Sequence, residues 1–548
     1  MQYLIYTLLF LILWVGVRYL LIFQRLGRAV LQYPHYCVKA ETEVPEFVKQ
    51  LFAGTGKQLQ DWGFEPCCYA RVDLMIVGEK RWQQLWYCDR HQTFAWLSIP
   101  ALPSPTQAVN VDFETFLADG TLLLTINGRS HYIILPMPAT LIQDDYAPHL
   151  EQQWQLHAQK VEALAPQNPP RLLSPDSFLE LLASHESATL SHALSQKKLS
   201  PQDSDHFTLT LATAATAAIQ IGNGTQKEAP LTRQRPQVSP PDITIPVEAE
   251  VEAYYYLDLW ETRQPRPYWK GGILILSLAG FVFLGSFFFD FVTVAILIGV
   301  LFLHELGHFS AMRWFGYQDT SIFFLPLLGA AASGRKDNAT LTEKVVVLLA
   351  GPMPGLILGV LLAVIFQGDR ATAWTLLTLW LVLLNFLNLL PVLPLDGGRV
   401  LNLLLFSRHP DAEILFKLFT VTALAIAGWS FQDPILLFLT VVMALSLPNN
   451  FRSRTILKRL HQNAPGGLSD DKLLQHLFQT LKTCGYDTLP FAQKYRLVKE
   501  IAQRYQEPHA SWGTRLGLLV LYFCCLVGGF GAIALSVWLN TQSSTFFG

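Results

Sequence analysis

The feature that leaves this chain fewest options is a set of apolar runs too long for an ordinary soluble core. Residues 271–289, 291–313, 345–366, 371–390, 412–430, 434–447 and 515–539 are predominantly apolar. About 20 apolar residues in a helix cross the hydrocarbon of a bilayer, where every backbone polar group must be satisfied internally. Seven membrane helices are therefore expected in the second half, the sixth of them short. A further apolar segment, about Tyr3 to Phe23, has no basic residue before it and is followed by Arg25 and Arg28. That is the reverse of a cleavable leader, so 1–23 reads as a retained anchor with its N-terminus outside. With 51% hydrophobic and 15% charged residues, a purely soluble protein is excluded.

The rest divides by composition. Residues 24–221 carry a helical pattern at Glu46–Trp62 and β-rich runs at Tyr69–Val77, Thr93–Ile99, Ala108–Phe116 and Thr121–Ile126. Asp119-Gly120 and Asn127-Gly128 are hairpin dipeptides, and helical patterns follow at His149–Leu164 and Asp176–Leu194, so an α+β domain with an antiparallel sheet is expected. Residues 222–268 read as a linker and pre-membrane segment. The membrane domain proper is 271–448, a small helical module occupies 450–513, and 515–539 is the last membrane helix. The fold class expected is thus an α-helical polytopic membrane protein with an inserted cytosolic α+β domain. Counting helices from an outside N-terminus puts Arg335, Lys336, Arg399, Arg408 and the cluster Arg452, Arg454, Lys458 and Arg459 on the cytosolic side, where basic residues accumulate.

The formal net charge of −2, without a concentrated basic surface, argues against nucleic acid as a partner. Seven cysteines without CxxC spacing imply no disulfide framework, and Cys67, Cys68, Cys88 and His91 read as ordinary core residues rather than a second metal site.

Inside 291–313 stands His304-Glu305-Leu306-Gly307-His308. On a helix, positions i and i+4 share a face, so both imidazoles can reach one ion while the glutamate stands beside a water that the ion activates. Three ionisable groups in one turn of a membrane helix would each cost about 2.5–3.5 kcal/mol on insertion scales, and a metal accounts for them where chance does not. A catalytic zinc usually takes three protein ligands. In Asn388-Leu389-Leu390-Pro391-Val392-Leu393-Pro394-Leu395-Asp396-Gly397-Gly398-Arg399 the prolines end a membrane helix and the glycines permit a tight turn, which can return Asp396 to membrane depth. Its competing reading is an N-cap for a helix over Val400–Phe406.

These two motifs, HExxH and Asn-x-x-Pro-x-x-Pro-x-Asp-Gly, in this order and on membrane segments, resemble those of the site-2 proteases, which are intramembrane zinc metallopeptidases. The resemblance covers about residues 271–410. It implies one Zn²⁺ per chain held by His304, His308 and Asp396, Glu305 as catalytic base, and Asn388 as a polar group facing the substrate carbonyl or its oxyanion. The substrate it implies is a membrane-spanning or membrane-anchored protein. Leu349-Ala350-Gly351-Pro352 is similar to a further family segment, with Gly355 where an Asn is common. The strand-like Gly329–Gly334 is a candidate edge for pairing with an unwound substrate. Two other classes compete with this reading. A catalytically inactive relative that binds membrane proteins should have lost a ligand or the base, and all four are present. A transporter should show paired interrupted helices in two halves, and the sequence has no such repeat. Oligomeric state is not readable, and a bacterial plasma membrane is the expected location.

Overall fold

The computed structural model describes residues 15–16, 18–103, 108–127, 135, 137–144, 147–223, 245–263, 267–325, 329–336, 338–366, 373–407, 409–463, 468–506 and 510–542. Most of the expected anchor at 1–23, most of the linker, Gly128 and Arg408 therefore lie outside the described residues. These fall into two compact units, one of 15–266 with 459–499, the other of 267–458 with 500–548.

The first unit contains β1 (Val30–Gln32), β2 (His35–Lys39), α1 (Glu46–Asp61), β3 (Glu65–Asp73), β4 (Lys80–Cys88), β5 (Thr93–Ser98), β6 (Asn110–Phe116), β7 (Leu122–Thr125), β8 (Thr140–Gln143), α2 (Leu150–Leu164), α3 (Pro175–Ser195), β9 (Leu199–Pro201), β10 (His206–Leu209), α4 (Leu211–Asn223) and α5 (Val247–Thr262). A seven-stranded sheet runs β2-β3-β4-β5-β6-β7-β8. Its pairs are antiparallel except the last, β7 with β8, which is parallel. Both faces are covered. Leu51, Phe52 and Leu59 of α1 and Trp154 of α2 pack with Ala95, Leu97 and Phe113. Phe178, Leu179 and Leu182 of α3 pack with Phe94, Trp96 and Phe116 on the opposite face. That is why β5 is buried at every position and carries four apolar residues in a row, Phe94 to Leu97, instead of alternating. Strand β4, with Arg81, Gln83 and Gln84 among its aromatics, carries no clean two-residue period and was not anticipated. The β6–β7 connection turns at Asp119-Gly120, where Gly120 takes φ +86° and its N–H donates to Leu117 O at 2.9 Å.

The second unit begins with α6 (Pro267–Gly285) and α7 (Phe291–Trp314), then the hairpin β11 (Gln318–Leu325) and β12 (Gly329–Arg335). It continues through α8 (Leu341–Ala350), α9 (Pro352–Ile365), α10 (Ala373–Leu389), α11 (Asp396–Leu401), α12 (Pro410–Ser430) and α13 (Pro434–Asn463). Helix α14 (Asp470–Thr483) and most of α15 (Phe491–Gln506) belong to the first unit, and α16 (Trp512–Gln542) completes the second. Among the described residues five spans are long and apolar enough to cross a membrane: α7, α8 with α9, α12, α13 and α16. The chain is an integral, multi-pass membrane protein. Helices α6 and α10 are apolar but shorter. The segment expected to be short at 434–447 is part of the 30-residue α13, which runs through Pro448. The expected single helix at 345–366 is interrupted at Gly351, where Pro352 opens α9.

Packing in this unit converges on α10. Val345 and Leu349 of α8, Leu356 of α9, Val382, Phe386 and Leu389 of α10, Val400 beyond the turn and Tyr522 of α16 form one cluster. The buried Tyr522 hydroxyl donates to Leu389 O at 2.9 Å, using a carbonyl left free where Pro391 ends the helix.

Candidate metal centre

Helix α7 begins at Asp290, whose carboxylate accepts from the Thr293 N–H at 3.0 Å and from the Thr293 hydroxyl at 2.6 Å. The cap fixes where a 24-residue helix starts. His304 and His308 then fall on one face of its second half. Both are buried, as are Glu305 and Asp396. Asp396 is the first residue of α11, with Leu395 in the N-cap position. Its carboxylate is therefore turned to the histidines instead of capping that helix.

His304 Nε2 lies 3.1 Å from His308 Nε2 and 3.1 Å from Asp396 Oδ2, and His308 Nε2 lies 3.2 Å from the same oxygen. Ligands at about 2.0–2.1 Å around a tetrahedral zinc stand about 3.3 Å apart, so the triangle has the size of one face of such a site. The opposite nitrogens decide what fills it. His304 Nδ1 is 2.8 Å from Asn385 Oδ1. The Asn385 amide nitrogen donates to Leu381 O at 2.7 Å, which orients the amide oxygen toward the ring. His308 Nδ1 is 2.8 Å from Val347 O. Each acceptor requires the proton on Nδ1, which in the neutral ring leaves a lone pair on Nε2. Two imidazole lone pairs and a carboxylate oxygen facing one another form no hydrogen bond among themselves, and a cation is what reconciles them. The residues thus fit zinc. Among the described residues no other trio of His, Cys, Asp or Glu side chains converges in this way. Cys67, Cys68, Cys88 and His91 do not, and burial pushes the Cys67 thiol up to about 12.

The glycines make the close approach possible. A Cβ on Gly307 would meet Ala350 O, and one on Gly351 would overlap the His308 ring. Gly397 and Gly398 let α11 lie against the 389–393 turn, where side chains would collide with Leu389 O and the Val392 carbonyl. Beside the triangle, Glu305 interacts with the backbone of Ala332 in β12.

His304, Glu305, His308 and Asp396 are thus brought together. Asn388 is half-buried one turn along α10 from Asn385, with its amide donating to Leu384 O at 3.1 Å. Asn385, fully buried against His304, was not singled out in the sequence. Its signal is that of any amide in an apolar helix, a polar group that must have found a partner.

Residues 292–371 match the model of Peptidase family M50. The Stage IV sporulation protein FB of Bacillus subtilis is 31% identical over 169 residues, 29% of this chain and 58% of that protein. Zinc metalloprotease MJ0392 of Methanocaldococcus jannaschii is 29% identical over 143 residues, 25% of this chain and 40% of that protein. The chain therefore matches about half the length of these relatives. A solved site-2 protease from Methanocaldococcus jannaschii aligns at 23% identity over 32% of this chain and 86% of its own, with a TM-score of 0.25. Residues 292–371 are thus similar to Peptidase family M50, with the histidine pair inside the matched stretch and Asp396 beyond it.

Proposed function

We propose that the chain is an intramembrane zinc metalloprotease that hydrolyses peptide bonds of membrane-spanning or membrane-anchored proteins. The observation that carries the reading is the convergence of two imidazole lone pairs and the Asp396 carboxylate beside a buried glutamate. His304, His308 and Asp396 would hold one zinc, which supplies a Lewis acid able to lower the pKa of water from about 15.7 toward 7. Glu305 takes a proton from the attacking water as the new C–O bond forms and delivers it to the amine as the C–N bond breaks. Asn388 donates to the carbonyl oxygen as charge builds there. A peptide carbonyl in an intact helix is already engaged by its own N–H partner, so the substrate helix must unwind locally. The placement of β12 against Glu305 supports its use as the edge on which an unwound strand is presented. The 24–221 domain and the 450–513 module would face the cytosol of a bacterial plasma membrane.

The test uses the full chain in detergent and in liposomes containing single-span reporter proteins, with products read by mass spectrometry. Wild type is expected to hold about one zinc per chain and to cleave. E305Q should keep the metal while cleavage falls about 10²- to 10⁴-fold, the range for a positioned base. Wild type without zinc, or E305Q cleaving at the wild-type rate, would remove the reading. Binding of reporters without cleavage by zinc-loaded wild type would favour the inactive relative.

A further inference from the structure

We infer that Asn385 is the positioning residue of the metal centre: its amide, supplied from α10 into a space left by Gly355 on α9, fixes which nitrogen of His304 faces the metal. It touches neither substrate nor metal. The inference rests on the metal site proposed above and concerns how that site is held.

Three observations carry it. Asn385 is fully buried in an apolar helix, where an amide without partners is costly. Both of its polar atoms are used, and in a fixed sense: the nitrogen donates to Leu381 O at 2.7 Å, so the oxygen is the atom 2.8 Å from His304 Nδ1. The amide thus accepts the Nδ1 proton and turns the Nε2 lone pair toward Asp396 and His308. Finally, the room is provided by the neighbouring helix. A Cβ on Gly355 would overlap the Asn385 amide nitrogen and lie 2.9 Å from its oxygen. The two positions therefore compete for one volume, and an Asn at 355 would carry its own oxygen into the same place if residue 385 were small.

His308 is held differently, by the backbone carbonyl of Val347, which no side-chain substitution removes. The His304 arm is thus the one that depends on a single replaceable side chain.

The experiment measures zinc affinity of the detergent-solubilised full chain by competition with a chromophoric chelator, with H304A as reference. N385L keeps volume and removes the acceptor; it should weaken zinc about 10- to 100-fold, as loss of a group behind a ligand does. N385A should do the same, and G355N alone should weaken zinc by crowding the amide. The double variant N385A/G355N returns an acceptor from the other helix and should recover to within about threefold of wild type. Bound Co²⁺ should regain its wild-type absorption spectrum in the double variant alone. A purely packing role would let N385L bind normally, and that result overturns the inference; if N385A does not fold, N385L decides alone. A double variant no better than N385A also overturns it. If H304A itself binds zinc like wild type, the metal site has failed and not only its support.

Discussion

The chain buries histidines in both units, and the two cases end in opposite chemistry. In the sheet unit His157 is fully buried, its Nε2 2.9 Å from Thr115 Oγ1 and its Nδ1 2.7 Å from Thr125 Oγ1. Thr93 and Thr115 share a further contact of 2.8 Å. The Thr125 hydroxyl donates to Gln143 Oε1 at 3.0 Å and so accepts the Nδ1 proton, which leaves Nε2 to accept from the Thr115 hydroxyl; both ring nitrogens are served and nothing is left over. Burial holds the ring neutral, with its pKa lowered to about 3. In the membrane unit each histidine has one nitrogen tied to an acceptor that cannot donate, a carbonyl or the oriented amide oxygen. The remaining lone pairs converge on a carboxylate. The difference lies in the partners and not in burial or in the residue type. A hydroxyl that donates to Nε2 closes a histidine; with Nδ1 tied to an acceptor and no donor on Nε2, the lone pair is open to a metal.

The largest effect expected from this contrast is at Gly351. A methyl group there would occupy the space of the His308 ring, so G351A should lower zinc affinity by at least about 10³-fold, beyond the about 10- to 100-fold typical of groups behind the ligands. Chelator competition on the full chain measures it. Normal zinc binding by G351A would mean that the ring does not lie where the ligand triangle requires.

Next is the closed case. H157A removes one partner from each of two buried threonine hydroxyls and leaves a void, a combination expected to cost about 3 kcal/mol. Denaturant unfolding followed through the aromatic residues of the sheet unit should report it, while zinc content stays at the wild-type value. A loss of zinc in H157A would break the distinction between the two histidine systems.

What could be read in the sequence follows the same division. The HExxH spacing is a property of one helix, so α7 and its two imidazoles were legible from periodicity alone. Asp396 was legible because two prolines and two glycines announce a turn, and here the turn delivers its carboxylate. Asn385 was not, because its role depends on which helix lies beside α10 and on Gly355 leaving room, and both are tertiary facts. In the sheet unit α1, α2 and α3 lie nearly at their expected bounds, since amphipathic periodicity is local. Strand β4 did not, because a strand buried on both faces but carrying Lys80, Arg81, Gln83 and Gln84 follows neither the alternating nor the continuous apolar pattern. Strand β8 was missed because its residues are half exposed at a sheet edge and its pairing with β7 is parallel, which no hairpin dipeptide signals.

The smallest effect concerns charge in that same buried interior. Glu186 of α3 accepts from the Tyr36 hydroxyl at 2.7 Å, and burial raises its pKa from 4.5 to about 7. Glu114 of β6 is buried nearby, and burial with Glu186 as neighbour pushes it well above the usual carboxylate range. A raised carboxyl pKa means that the folded state keeps a proton the unfolded state releases. The associated stability is fully present below about pH 4.5 and is lost as pH rises toward 7. E186Q removes that dependence, so its stability relative to wild type should improve between pH 4.5 and pH 7 by on the order of 2 kcal/mol. The His157 dependence has the other sign, its stability being lost as pH falls below about 6.5, and it cancels in the comparison because both proteins contain it. Equal pH slopes for the two proteins would show that Glu186 is already ionised in the fold. The sheet interior would then tolerate a buried charge without a cation, which the membrane site, on the argument above, does not.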